Sequence, residues 1–138
     1  MKYIKFISGF LGISIFLFGI LKFINPFKSW YLAQISDSGL GEFSYTLGIL
    51  GELSAGAAFI LLLMFQTKIS VKYLLLIVII ASTIVIVMML TGIYVHLHPN
   101  VPADVLPLKV KPPFIPGFFL VLALINIFLS ANKYRESK

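Results

Sequence analysis

The sequence lacks cysteine altogether and has few charged residues. Of its 138 residues, 59% are hydrophobic and only 12% are charged, and the mean hydropathy is +1.02. Without cysteine the chain has no thiolate nucleophile, no means of disulfide exchange and no zinc–thiolate or iron–sulfur site. A soluble domain of this length needs many more charges to cover its surface. The composition therefore predicts an integral membrane protein with little mass outside the bilayer.

Four apolar stretches are each long enough to cross a bilayer, which takes roughly 20 apolar residues. The pattern predicts an all-α, four-transmembrane-helix bundle that forms a single domain over residues 1–138. The predicted spans are residues 4–24, 44–65, 71–95 and 114–131. Asn25-Pro26 is expected to end the first span and to begin a short interfacial helix, with Asn25 as its cap and Pro26 in its first turn.

The segment from His96 to Pro113 carries five of the seven prolines. Proline fixes the backbone, so this proline-rich outer loop cannot hold a long helix and is not a flexible linker. We interpret it either as a fixed lid across the outer mouth of the bundle or as a stiff connector in the headgroup region. Its apolar residues are expected to pack rather than to be exposed: Val101, Val105, Leu106 and Leu108.

The basic residues predict the orientation of the chain. A net charge of +6 would indicate nucleic-acid binding in a soluble protein, but here the basic residues lie at the ends of the spans, so no nucleic-acid partner is expected. Seven basic residues fall on one side: Lys2, Lys5, Lys68, Lys72, Lys133, Arg135 and Lys138. Four fall on the other: Lys22, Lys28, Lys109 and Lys111. This difference predicts that both termini are cytoplasmic.

Glu52 is the most informative residue, because it lies eight residues, or about 12 Å, into the second predicted span. An unpaired carboxylate there costs roughly 2.5–3.5 kcal/mol on insertion scales. Lys22 is the expected partner, since it continues a face of small residues on the first span. We favour a structural ion pair among closely packed helices, while a proton-handling or ligand-anchoring site is the alternative and can coexist with it.

Three further polar residues are weaker candidates. Asn126 lies deep in the fourth span. The simpler interpretation is a hydrogen bond between helices, and the alternative is recognition of a headgroup or quinone oxygen. Asn126 and His96 are candidate secondary contacts of the Lys22–Glu52 site. His96 and His98, with Asp104 nearby, form a weak candidate metal site, because a metal needs three or four converging ligands. Interfacial hydrogen bonding explains the two histidines more simply.

Two sequence stretches resemble the DoxX-like family of small four-helix membrane proteins. They are Gly19-Ile20-Leu21-Lys22-Phe23-Ile24-Asn25-Pro26 and Gly48-Ile49-Leu50-Gly51-Glu52-Leu53, within four spans of matching order. The resemblance implies a multi-pass protein of the bacterial cytoplasmic (inner) membrane. Some family members are linked to quinone-dependent sulfur oxidation or to membrane redox-defence assemblies. The proline-rich segment has no counterpart in this pattern, and any thiol relay would need a cysteine from a partner.

We therefore expect a non-catalytic membrane module rather than an enzyme. This module would act as an accessory subunit or bind an amphipathic ligand such as a lipid or a quinone. The expected partners are the lipid bilayer and other membrane or redox subunits. The site would lie in the outer half of the bundle, beneath the proline-rich loop. One alternative is a quinone-linked oxidoreductase subunit, in which Glu52 accepts a proton and Lys22 stabilises negative charge. A small transporter or proton pathway is the second alternative.

Overall fold

The computed structural model describes all 138 residues and consists of helices and connecting segments. Four helices are long and apolar enough to cross a membrane, which confirms the predicted four-span, all-α fold. The helices are α1 (Lys2–Leu21), α2 (Phe27–Asp37), α3 (Glu42–Met64), α4 (Val71–Leu97) and α5 (Phe114–Glu136). Two short 3-10 turns, Ala103–Val105 and Pro107–Lys109, lie in the proline-rich segment.

The helix bounds differ most from the prediction at the ends of α1 and α5. The first helix ends at Leu21 instead of Ile24, and the next residues form tighter turns, in which the amides of Phe23 and Ile24 donate to the carbonyls of Ile20 and Leu21. Asn25 does not cap α2 as expected; its side-chain oxygen accepts a hydrogen bond from the Ser29 hydroxyl instead. The last helix continues to Glu136, since no proline or glycine interrupts its polar final turns.

The four long helices form a closed ring in the order α1, α3, α4, α5, with each packed against the next and α5 packed against α1. Four crossings place both chain ends and the turn between α3 and α4 on one side of the bundle, which we call the terminal side. The helix α2 and the proline-rich segment lie on the opposite side, the loop side. Large apolar residues fill the centre of the ring: Leu11, Ile15, Phe59, Leu75 and Val85.

Glycines set a close antiparallel contact between α1 and α3. A Cβ atom on Gly12 would lie 2.8 Å from the Cβ of Phe59, and one on Gly56 would lie 2.7 Å from the backbone nitrogen of Phe16. No larger residue fits at either position without moving a helix. The small-residue face predicted on the first span thus lies in a packed helix interface. The loop-side end of α3 extends beyond the end of α1, and there α2 packs against it.

The proline-rich segment is packed against the loop-side ends of the helices. Val101 and Leu106 are buried beside Val95. The amide of Gln34 on α2 donates a hydrogen bond to the carbonyl of Val105. Leu108 departs from the expectation of packing, because it is 85% exposed and has a left-handed backbone with a φ of 53°.

Candidate functional site

An ion pair joins the end of α1 to the interior of α3. Lys22 follows the last residue of α1, and its ammonium donates a hydrogen bond of 2.6 Å to Oε2 of Glu52. Glu52 lies ten residues after the start of α3, or about 15 Å along the helix. Gly19 lies against Glu52, with a hypothetical Cβ 3.2 Å from the Glu52 Cβ, so α1 closes over the carboxylate. The structure thus brings together the two residues that the sequence selected.

The two members of the pair differ in exposure. The Glu52 side chain is 8% exposed and that of Lys22 is 18% exposed. Each charge stabilises the other, since an unpaired charge in a medium of low dielectric constant is costly. The more accessible member is the cation, and it is therefore the group that another molecule can reach.

Tyr31 of α2 covers the pair and was not selected from the sequence as a site residue. Its ring centroid lies 4.0 Å from the Lys22 ammonium, within the range of a cation–π interaction. The Tyr31 hydroxyl donates a hydrogen bond of 3.2 Å to the carbonyl of Tyr45, and the two rings stack at 4.8 Å. A side chain at Gly48 would collide with this hydroxyl, so the glycine makes room for it.

Burial, and next to it the negative charge of Glu52, raises the pKa of the Tyr31 phenol above its usual range. The phenol therefore stays protonated and remains a hydrogen-bond donor. Its position also corrects one expectation, because the element that covers Lys22 is α2 and not the proline-rich segment. The glycine at position 48 was the available signal, since it marks a place where another group approaches α3 closely.

Asn126 lies away from the ion pair. Its amide donates hydrogen bonds of 3.0 Å to Ser8 on α1 and 3.2 Å to Ser82 on α4. Ser8 precedes Lys22 by 14 residues, which corresponds to about 21 Å along a helix. Asn126 is therefore a hydrogen-bonding residue between three helices, and the structure does not bring it to the Lys22–Glu52 site.

His96 lies at the loop-side end of α4, where its Nδ1 is 3.2 Å from the carbonyl oxygen of Lys111. On the same helix, Met88 packs against Gly51, the neighbour of Glu52. His96 follows Met88 by eight residues, or about 12 Å towards the loop side. No hydrogen bond joins His96 to Lys22 or Glu52, so the structure separates it from the ion pair.

The histidine pair has no set of metal ligands around it. The Nδ1 of His98 accepts a hydrogen bond from the backbone of Asn100, and its ring packs against Tyr94. No group of three or more histidine, aspartate or glutamate side chains is placed to hold a metal ion. The backbone contacts of both histidines fit the interfacial hydrogen bonding that the sequence favoured.

The ion pair retains hydrogen-bonding capacity. An ammonium has three N–H groups, and that of Lys22 makes one hydrogen bond within the protein. The carboxylate of Glu52 accepts that bond at Oε2, and its other oxygen, Oε1, accepts none. The site can therefore donate to an acceptor oxygen and accept from a hydroxyl. A quinone carbonyl, a phosphate ester and a headgroup hydroxyl all fit this donor and acceptor set.

Comparison with protein-family models, with curated proteins and with solved structures gives no match for this chain.

Proposed function

We propose that the protein binds the oxygen-bearing head of an amphipathic molecule, a lipid or a quinone, at Lys22. One observation carries this proposal: a cation neutralised by a buried carboxylate keeps unused N–H groups and an 18% exposed side chain. The protein would act as an accessory subunit that holds this molecule for other membrane or redox subunits, without catalysing a reaction itself.

Membership in the DoxX-like family is part of the proposal. The resembling stretches around Lys22 and Glu52 are also the stretches whose side chains meet in the ion pair. A bacterial cytoplasmic membrane is the location that this resemblance implies. The exposed apolar surface of the four long helices supports a position within a bilayer, because hydrocarbon is the medium that such surface requires.

Binding can be tested with the purified protein in nanodiscs that contain phosphatidylglycerol or a short-chain ubiquinone. We expect native mass spectrometry to detect one bound amphiphile on the wild-type chain. The double variant Lys22→Gln/Glu52→Gln should lose it, because both charges are removed together while the size of the side chains is kept. The matched control is Lys28→Gln, which removes an exposed lysine of α2 and should bind normally.

The two probes distinguish the sources of the acceptor oxygen. Retention of only the quinone would identify a carbonyl, and retention of only the phospholipid would identify a phosphate ester. Thermal unfolding of the double variant verifies that it is folded. Binding that is absent from the wild-type chain with both probes, or that is equal in the wild type and the folded double variant, would refute the proposal.

The proposed orientation has both termini in the cytoplasm, as the distribution of seven and four basic residues supports. Because the chain has no cysteine, single cysteines can be introduced without a background signal. In intact cells, a membrane-impermeant maleimide should label Lys109→Cys on the loop side and should leave Ser137→Cys unlabelled until the cells are lysed. The reverse labelling pattern would show that the chain is inserted the other way round.

A further inference from the structure

A second polar cluster lies inside the bundle, towards the terminal side. Its members come from three helices and are at most 1% exposed: Ser8, Ser82, Asn126 and Ser130. The amide nitrogen of Asn126 donates to two of the serine oxygens. These two hydrogen bonds use both N–H groups of the side chain, so the cluster has a fixed centre.

Two oxygen atoms of this cluster have no hydrogen-bond partner. They are Oδ1 of Asn126 and Oγ of Ser130, and both are fully buried. A buried polar atom without a partner is costly, since it has lost water and gained nothing in exchange. The two residues are four positions apart on α5, which places them on one face of the helix, one turn from each other.

We propose that a water molecule binds between Asn126 and Ser130 inside the bundle. It donates to Oδ1 of Asn126 and accepts a hydrogen bond from the Ser130 hydroxyl, and a buried water typically makes two to four such polar contacts. Ser130 lies six residues before the end of α5, or about 9 Å along the helix. The position is therefore nearer to the terminal side of the bundle than to the loop side.

The chemistry of the cluster selects water over an ion. All four side chains are neutral, and the deep carboxylate, Glu52, is already paired with Lys22 near the other end of the bundle. A metal cation at Asn126 would have no compensating negative charge among hydrocarbon. The cluster has no titratable side chain either, so the water is a structural ligand that joins the hydrogen bonds of α1, α4 and α5.

The water can be detected by solid-state NMR of the asparagine-labelled protein in lipid bilayers. Magnetisation transfer from water to the Asn126 side-chain amide should be fast, although the residue is fully buried. In Ser130→Val, which has no hydroxyl to bind the water, this fast transfer should be lost. Ser130→Thr keeps the hydroxyl and should restore it. Ser54→Ala, a change on the exposed face of α3, is the control that should leave transfer unchanged.

Two results would overturn the inference. The first is wild-type transfer to Asn126 that is as slow as transfer to backbone amides of the apolar core, such as that of Val85. The second is fast transfer that persists in Ser130→Val, because the water would then not bridge the two residues. A variant that does not fold is recognised by its backbone spectrum, and Ser130→Ala, which removes only the hydroxyl, replaces it with the same expected loss.

Discussion

Replacing Lys22 by alanine should destabilise the protein severely. The Glu52 carboxylate, 8% exposed, would then lie among helices without the cation that now contacts it at 2.6 Å. In soluble proteins, removal of one partner of a buried pair costs about 3–5 kcal/mol, and we expect a loss of that order in the free energy of unfolding. Denaturant unfolding of the purified protein in detergent micelles measures this loss directly.

The cost arises from an orphaned charge, and the double variant Lys22→Leu/Glu52→Leu should recover much of it. Two apolar residues need no partner in this environment. A suitable comparison is the exposed pair of Lys133 and Glu136, whose atoms are 3.0 Å apart. Lys133→Ala should cost at most about 1 kcal/mol, since solvent screens that pair. Equal damage from the single and the double change at the buried pair would show that Lys22 does not stabilise Glu52.

Gly56→Ala should also destabilise the protein, although alanine is the better helix former. The new Cβ would lie 2.7 Å from the Phe16 nitrogen and 2.8 Å from its Cα, and backbone atoms cannot move aside without shifting α1. Overpacking of this kind costs typically about 1–3 kcal/mol. We expect a loss in that range, measured by the same denaturant unfolding.

Gly117 provides the matched control for this prediction. A Cβ at Gly117 meets no atom within 4 Å, and the residue lies in the helix α5. Gly117→Ala should therefore be neutral or should stabilise by about 0.5–1 kcal/mol through helix propensity alone. If both substitutions changed stability in the same direction and by the same amount, close contact between α1 and α3 would not be the reason.

The helices and the ion pair could be predicted from the sequence because hydrocarbon imposes strong rules. A stretch of about 20 apolar residues has few alternatives to a span, and a carboxylate within it needs a partner. Lys22 was the basic residue that continued a small-residue face of α1, so the partner could be named. Both arguments need only the order of residues along the chain and the geometry of a helix, so one sequence is enough to make them.

The position of Tyr31 could not be predicted in the same way. Its contact with Lys22 depends on the direction in which α2 leaves α1, and no periodicity in the sequence encodes that direction. The partners of Asn126 were equally hidden, because Ser8 and Ser82 are ordinary serines on different helices. Leu108 was mispredicted since its residue type indicates burial, whereas its exposure follows from a left-handed backbone at the end of a short turn.

The helix α2 is attached at three separate points. Tyr31 binds the start of α3, Gln34 binds the carbonyl of Val105, and the carbonyl of Ser38 accepts a hydrogen bond from Tyr94 of α4. Lifting α2 away from the lysine at its near end therefore strains bonds formed at its far end. The proline-rich segment does not cover Lys22, but it restrains α2, the helix that does. A substitution near Val105 would therefore alter the position of α2 over Lys22 without any direct contact with that lysine.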